Sequence, residues 1–242
     1  WLSDWSSDVC SSDLVSTTLL SQVDASTGGK NGVNCSLAKN VIGLFNQPEF
    51  VICDESILKT LSTEEYLSGL SELVKTAYIR DISLINDIEA NIDKILLRDE
   101  SLLRELIFRA VQIKSDVVGS DMREAGVRRI LNFGHTFGHA AEMEYGIRHG
   151  VAVAWGMIAA IDFSVKSGYL TSGDSQYLKG IIVRLGLLQG TNPDGNRIAR
   201  HIGNDKKRAG AELQFVFLGS PGISLVERVS ISELTEFIGS YN

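Results

Sequence analysis

With 242 residues, 44% of them apolar, and a formal net charge of −7, the chain has the material for one large domain or two small ones with a real core. The acidic balance, with a pI near 5.2, argues against nucleic acid or an anionic membrane surface as a partner, so a bound anion needs a local cationic cluster. The longest apolar run, Val151 to Ile161, falls short of a membrane span, and Cys10, Cys35 and Cys53 show no Cys-x-x-Cys spacing. A reducing, cytoplasmic setting is the expectation.

In chain order, Trp1 to Leu14 repeats Ser-Asp without a helical or strand period and lacks the basic and apolar regions of a signal peptide. It reads as a foreign, adapter-like segment, with native sequence expected from near Val15. From Val15 to Asp54, short apolar runs at Leu19-Leu20, Val41 to Phe45 and Phe50 to Cys53 alternate with Gly, Asn and Pro, which suggests strands and tight connections. Ser62-Thr63-Glu64-Glu65 is a capping box, and Leu67, Leu70, Val74 and Ala77 continue at helical spacing. On the more polar side of that helix, Glu72 and Lys75 stand about 60° apart by the helical period, close enough to share one site.

Further helices are expected over Leu84 to Leu97, Leu102 to Val117 with Lys114 near its end, Val151 to Lys166, Ser175 to Leu185 and Arg197 to Ile202. Leu213 to Leu218 and Ser224 to Val229 flank Gly219-Ser220-Pro221-Gly222 as a β-hairpin. Between these lies Asn132 to Glu142, the histidine helix. Its His135 and His139, spaced i, i+4, put two imidazoles on one face with Glu142 three residues on. Such a face suits a divalent metal, and it is equally the pattern of an ordinary polar face or a capped helix end. Position 136 is Thr, so this is not a His-Glu-x-x-His protease helix, and a third ligand has to come from elsewhere. Gly134 and Gly138, one turn apart in that helix, allow a neighbouring backbone to come close. For Glu142, a solvated carboxylate is favoured over a hydrogen-bond acceptor for a histidine N–H.

Gly28-Gly29-Lys30 could bring backbone N–H groups and a charge to a phosphate, or be a plain surface turn; its spacing does not fit a P-loop. The order of motifs is more specific than any one of them. Thr17-Thr18, Val23-Asp24-Ala25-Ser26, Gly28-Gly29-Lys30 and Lys39-Asn40 come first, then Ser71-Glu72-Leu73-Val74-Lys75. Arg128, Asn132-Phe133-Gly134-His135-Thr136-Phe137-Gly138-His139, His149-Gly150 and Asp205-Lys206-Lys207 follow. Together they closely resemble the 3-dehydroquinate synthase family.

The resemblance implies an α/β NAD-binding part followed by a mainly α-helical, metal-binding C-terminal domain, with the site in the cleft between them. Glu72, His135 and His149 match the family's metal ligands, for zinc or cobalt. Thr17, Thr18, Lys30, Lys39 and Ile57, Leu58, Lys59 and Thr60 match cofactor-contacting positions. Asp24, Lys75, Lys114, Arg128, Asn132, His139 and Lys206 match positions that hold the substrate, a phosphorylated sugar acid. That substrate's carboxylate and phosphate would account for cations gathered from distant parts of an acidic chain. A homodimer is compatible with the resemblance.

The departures set a limit. The family has a Gly-containing dinucleotide-binding unit, on the order of 100 to 150 residues, before the Thr-Thr motif. Residues 15–56 are therefore expected to be a remnant of the NAD-binding domain, and 57–242 the helical metal- and substrate-binding domain with its C-terminal hairpin. The chain alone is expected to bind a divalent metal, to bind NAD hardly at all and to be inactive. Ala38 replaces a usual glycine before Lys39. The alternatives are another sugar phosphate cyclase, a related metal-dependent polyol dehydrogenase, or a metal-binding or dimer-forming module without activity.

Overall fold

A computed structural model describes residues 13–33, 42–204 and 212–241. Its centre is α1 (Thr63–Arg80), which begins where the capping box places it: the Ser62 hydroxyl accepts the Glu65 N–H at 3.3 Å. The helix is buried along most of its length, with Leu70, Leu73, Val74 and Ala77 fully enclosed. Glu72 and Lys75 do not lie on a polar side as expected; both are buried, and each is the other's ionic partner. A charge can stay inside a core only when it is paired in this way.

Asp81 ends α1 and caps α2 (Ile82–Ala90), accepting the N–H groups of Ser83 and Leu84 at 2.8 and 3.0 Å. The single helix expected over Leu84 to Leu97 is two, because Asn91 leaves helical geometry (φ −124°, ψ 24°) and α3 (Ile92–Leu96) starts after it. Arg98 then turns back with φ +59° and donates to the carbonyls of Leu58, Lys59 and Leu61. α4 (Glu100–Ser120) follows, capped by Asp99.

At the N-terminal end, β1 (Asp13–Ser16) pairs with a later strand, so pairing begins two residues inside the segment set apart on composition. β2 (Lys30–Val33) and β3 (Ile42–Phe45) are antiparallel, and β4 (Phe50–Cys53) is β1's parallel partner, with Ser16 opposite Cys53. Leu19-Leu20, expected in a strand, instead starts a helical segment that continues as a π-helical turn over Ser21–Ala25. Tertiary contact decides this: a Cβ on Gly69 of α1 would lie 2.5 Å from the Leu20 nitrogen, and Leu19 and Val23 are wholly buried there.

A 3-10 turn (Val127–Asn132) leads into α5 (His135–Tyr145) and α6 (His149–Lys166). α7 (Ser172–Arg184) and α8 (Gly195–Asn204) come next, then β5 (Glu212–Ser220) and β6 (Ile223–Ser230). The hairpin turn is shorter than expected, since Ser220 still pairs with Ile223 and only Pro221-Gly222 turn the chain, with Gly222 at φ +82°. Phe215 and Phe217 of β5 pack on Phe163 of α6 at centroid distances of 5.2 and 5.4 Å. A final helix, α9 (Ile231–Gly239), was not anticipated, although Ser230 caps it through the Glu233 N–H. Among the described residues, no helix is long and apolar enough to cross a membrane.

Candidate metal centre

Three helices meet at the site because glycines let their backbones touch. A Cβ on Gly156 of α6 would lie 2.1 Å from the Gly134 carbonyl oxygen, and one on Gly150 would lie 2.4 Å from the Ser68 carbonyl oxygen of α1. α6 is thereby seated against α5 on one side and α1 on the other. Gly134 does not lie inside the histidine helix as expected. It is left-handed (φ +77°) and precedes it, so His135 is the first residue of α5. His149 is likewise the first residue of α6. Two helix starts thus face the middle of α1, where Glu72 stands.

The three matched ligands converge. The Nε2 atoms of His149 and His135 lie 3.1 and 3.5 Å from the same oxygen, Oε1 of Glu72. One donor atom from each residue falls within 4.8 Å of the others. Two donors bound to one tetrahedral zinc at about 2.0–2.1 Å lie roughly 3.3 Å apart, close to the two spacings from Glu72 Oε1. The Nδ1 atoms are turned away: that of His135 lies 3.1 Å from the Phe133 carbonyl, that of His149 3.3 Å from Glu142 Oε2. Glu142 is therefore in contact with a histidine nitrogen, against the solvated reading favoured from sequence. His139, one turn along α5, is exposed, with its ring 5.0 Å from that of His135. It joins Glu142 and His149 in a second close group of donors.

Electrostatics suit the donors to an ion. Burial alone would raise the Glu72 carboxyl, but the Lys75 ammonium and the two imidazoles hold it well below the usual carboxylate range. Burial pushes His135 down to about 4 despite the pull of Glu72, leaving a neutral nitrogen donor at pH 7. The hydrogen bond to Glu72 moves His149 the other way, upward. The donor set of one carboxylate and two imidazoles leaves open positions, as a catalytic ion requires.

Behind Glu72 runs a file of alternating charge. Lys75 Nζ lies 2.5 Å from Glu72 Oε2 and 3.8 Å from Asp24, and Lys114 Nζ lies 2.6 Å from the same Asp24 oxygen. Burial would lower the Lys75 ammonium, but Glu72 and Asp24 hold it raised; for Lys114 burial wins and the shift is downward. The Arg128 guanidinium is buried, donating to the carbonyls of Met122 and Gly28 at 2.8 and 2.9 Å, while its Nε–H meets no partner among the described residues. Asn132 and His139 line an adjoining cavity of about 360 Å³ with His135, Thr136, Met143 and His201. Asn132 donates to Glu124 at 2.6 Å, and Glu124 also pairs with Lys30.

Of the other expected contacts, the Thr18 hydroxyl caps the turn at Ser21 and Thr17 is exposed. Ile57, Leu58, Lys59 and Thr60 lie in a 3-10 turn (Glu55–Thr60), where Lys59 pairs with Glu100 and Thr60 donates to the Ile57 carbonyl. Lys39 and Lys206 lie outside the described residues. Sequence reasoning missed Glu124 and His201. Glu124 carried no signal beyond a polar loop, yet it has φ +57° and bridges two expected site residues. His201, the fourth histidine, accompanies Glu144 at 2.7 Å on the cavity's far wall.

Residues 11–68 match the family described as 3-dehydroquinate synthase N-terminal, and residues 69–208 match 3-dehydroquinate synthase C-terminal. The chain belongs to the 3-dehydroquinate synthase family. Relatives bearing that name include those of Acinetobacter baylyi, 41% identical over 218 residues (88% of this chain, 60% of the relative), and Psychrobacter cryohalolentis, 42% identical over 212 residues (86% and 58%). The chain thus spans about three-fifths of the length of these family members. A solved structure of 2-deoxy-scyllo-inosose synthase complexed with carbaglucose-6-phosphate, NAD+ and Co2+ superposes with a TM-score of 0.82 at 26% identity, covering 94% of this chain and 66% of that one. The valiolone synthase of Streptomyces hygroscopicus, solved with NAD+ and Zn2+, shares the fold at a TM-score of 0.83 and 23% identity, covering 94% of this chain and 65% of that one.

Proposed function

We propose that this site carries the family's reaction, conversion of 3-deoxy-D-arabino-heptulosonate 7-phosphate to 3-dehydroquinate and phosphate, with NAD and a divalent ion. The observation that carries the reading is the convergence of both histidine Nε2 atoms on Glu72 Oε1 beside two buried lysines. When bound, the ion would lower the pKa of a sugar hydroxyl and NAD would take up and return a hydride. Glu72, His135 and His149 hold the ion. Asp24 anchors the Lys75 and Lys114 ammonium groups at fixed spacing, and these with Arg128 orient an anionic substrate. The Arg128 Nε–H, which meets no partner among the described residues, would be a donor for a carboxylate. Asn132 and His139, which line the cavity, would face the phosphate.

NAD contacts by Thr17, Thr18 and 57–60 have a topological support. β1 and β4 are parallel neighbours, so Thr17-Thr18 and the 3-10 turn leave from the same carboxyl end of one sheet, where α/β proteins bind their ligands.

Calorimetric titration of the zinc-loaded chain with the heptulosonate phosphate tests this. Expected is binding that needs the metal and weakens in Arg128→Ala and Lys114→Ala. Equal binding of glucose 6-phosphate, which has no carboxylate, would favour the neighbouring cyclase chemistry and overturn the assignment.

A further inference from the structure

The two histidines of the centre are held in the same way from behind, by different groups. The His135 ring has its Nδ1 against a backbone carbonyl, that of Phe133 at 3.1 Å, which leaves Nε2 aimed at Glu72. The His149 ring has its Nδ1 3.3 Å from Glu142 Oε2, and again Nε2 is left to face Glu72 at 3.1 Å. Glu142 sits on the third turn of α5, its side chain 15% exposed, so a helix and not a loop presents the carboxylate. The backbone of His149 is fixed as well. Arg148 pairs with Glu64 and Glu65 at the start of α1, and the Gly150 N–H donates to the Ser68 hydroxyl at 3.1 Å. What remains free is rotation of the ring about its own side-chain bonds, and Glu142 is placed to stop it.

We propose that Glu142 is a positioning residue of the centre: it accepts the Nδ1–H of His149, fixing the tautomer and ring angle that present Nε2 to the ion. Metal-bound histidines characteristically donate their other N–H to a carboxylate or carbonyl, and losing that partner weakens metal affinity. The inference rests on the reading of Glu72, His135 and His149 as ligands. Its rival is a second ion held by His139, Glu142 and His149, whose donor atoms also lie within 4.8 Å of one another.

The test is zinc titration of the metal-free full chain against a chromophoric chelator, for the wild type and for Glu142→Ala, Glu142→Gln, Glu72→Ala and His149→Ala, with helical circular dichroism confirming each fold. Zinc affinity is expected to fall about 10- to 100-fold in Glu142→Ala. Glu142→Gln should lose less, because its amide oxygen still accepts the N–H. Nitrogen-15 spectra of the zinc-loaded chain should show His149 as a single Nδ1–H tautomer in the wild type and a mixture in Glu142→Ala, a change that a merely structural role would not cause. If Glu142→Ala binds zinc like the wild type while Glu72→Ala and His149→Ala do not, the inference fails and the ligand reading stands. Two zinc ions per chain would overturn it in favour of the rival. Undiminished binding in Glu72→Ala and His149→Ala would overturn the ligand reading itself.

Discussion

Among the ion pairs that join a glutamate to a lysine of the expected site, Glu72–Lys75 and Glu124–Lys30 differ in everything that surrounds them. Glu72 and Lys75, one turn apart on α1, have side chains 0% and 2% exposed, with Asp24 and two histidines packed against them. Glu124 and Lys30 are 20% and 49% exposed, on a polar loop and a strand end, with Asn132 also donating to Glu124. The inner pair is a fixed part of the core, its charges held by one another and by Asp24. The outer pair is solvated and can part cheaply when an anion competes for Lys30. The metal corner is thus held by the core, and the outer pair is open to solvent.

The sharpest way to break that contrast is to remove one partner of each pair. Glu72→Ala would leave the buried Lys75 ammonium only Asp24, 3.8 Å away and shared with Lys114, and a loss of about 3–5 kcal/mol in denaturant unfolding is expected, along with loss of zinc binding. Gly156→Ala tests the seating of the helices, since its new methyl would overlap the Gly134 carbonyl. The two helices must separate, at a cost of about 1–3 kcal/mol. Zinc affinity should fall with stability, although no ligand is touched.

Asp81→Ala is the converse. It removes the α2 cap and an Arg109 partner at 2.9 Å at the C-terminal end of α1, beyond Glu72, and should cost about 1 kcal/mol with zinc affinity unchanged. Burial would raise the Asp81 carboxyl, but Arg109 and the capping N–H groups hold it lowered. Its contribution is therefore full above the ordinary aspartate range and is lost as pH falls through the lower folded value, so wild type and variant should converge in acid. The smallest effect is expected for Lys30→Ala, about 0–1 kcal/mol in the same unfolding assay.

How much of this could be read from the sequence follows the same division. The capping box at Ser62, the apolar period of α1 and the long α4 are local signals, and the structure has them where expected. The coiling of Leu19 to Ala25 and the start of α5 after Gly134 are set by tertiary contacts between segments distant in sequence, which no local window contains. Glu72 and Lys75 were placed on a polar side because charge ordinarily marks solvent; only the packed helices show that they enclose each other. The ligand set itself came from the order of motifs and not from spacing. The i, i+4 pair His135 and His139 is divided in the fold, with His135 facing Glu72 and His139 at the exposed cavity wall.

The measurement that bears most directly on the centre is anomalous diffraction at the zinc edge from crystals of this chain soaked in zinc. The account predicts one strong peak about 2.0–2.2 Å from Glu72 Oε1, His135 Nε2 and His149 Nε2. A peak held instead by His139, Glu142 and His149, or no ordered zinc at all, would contradict it.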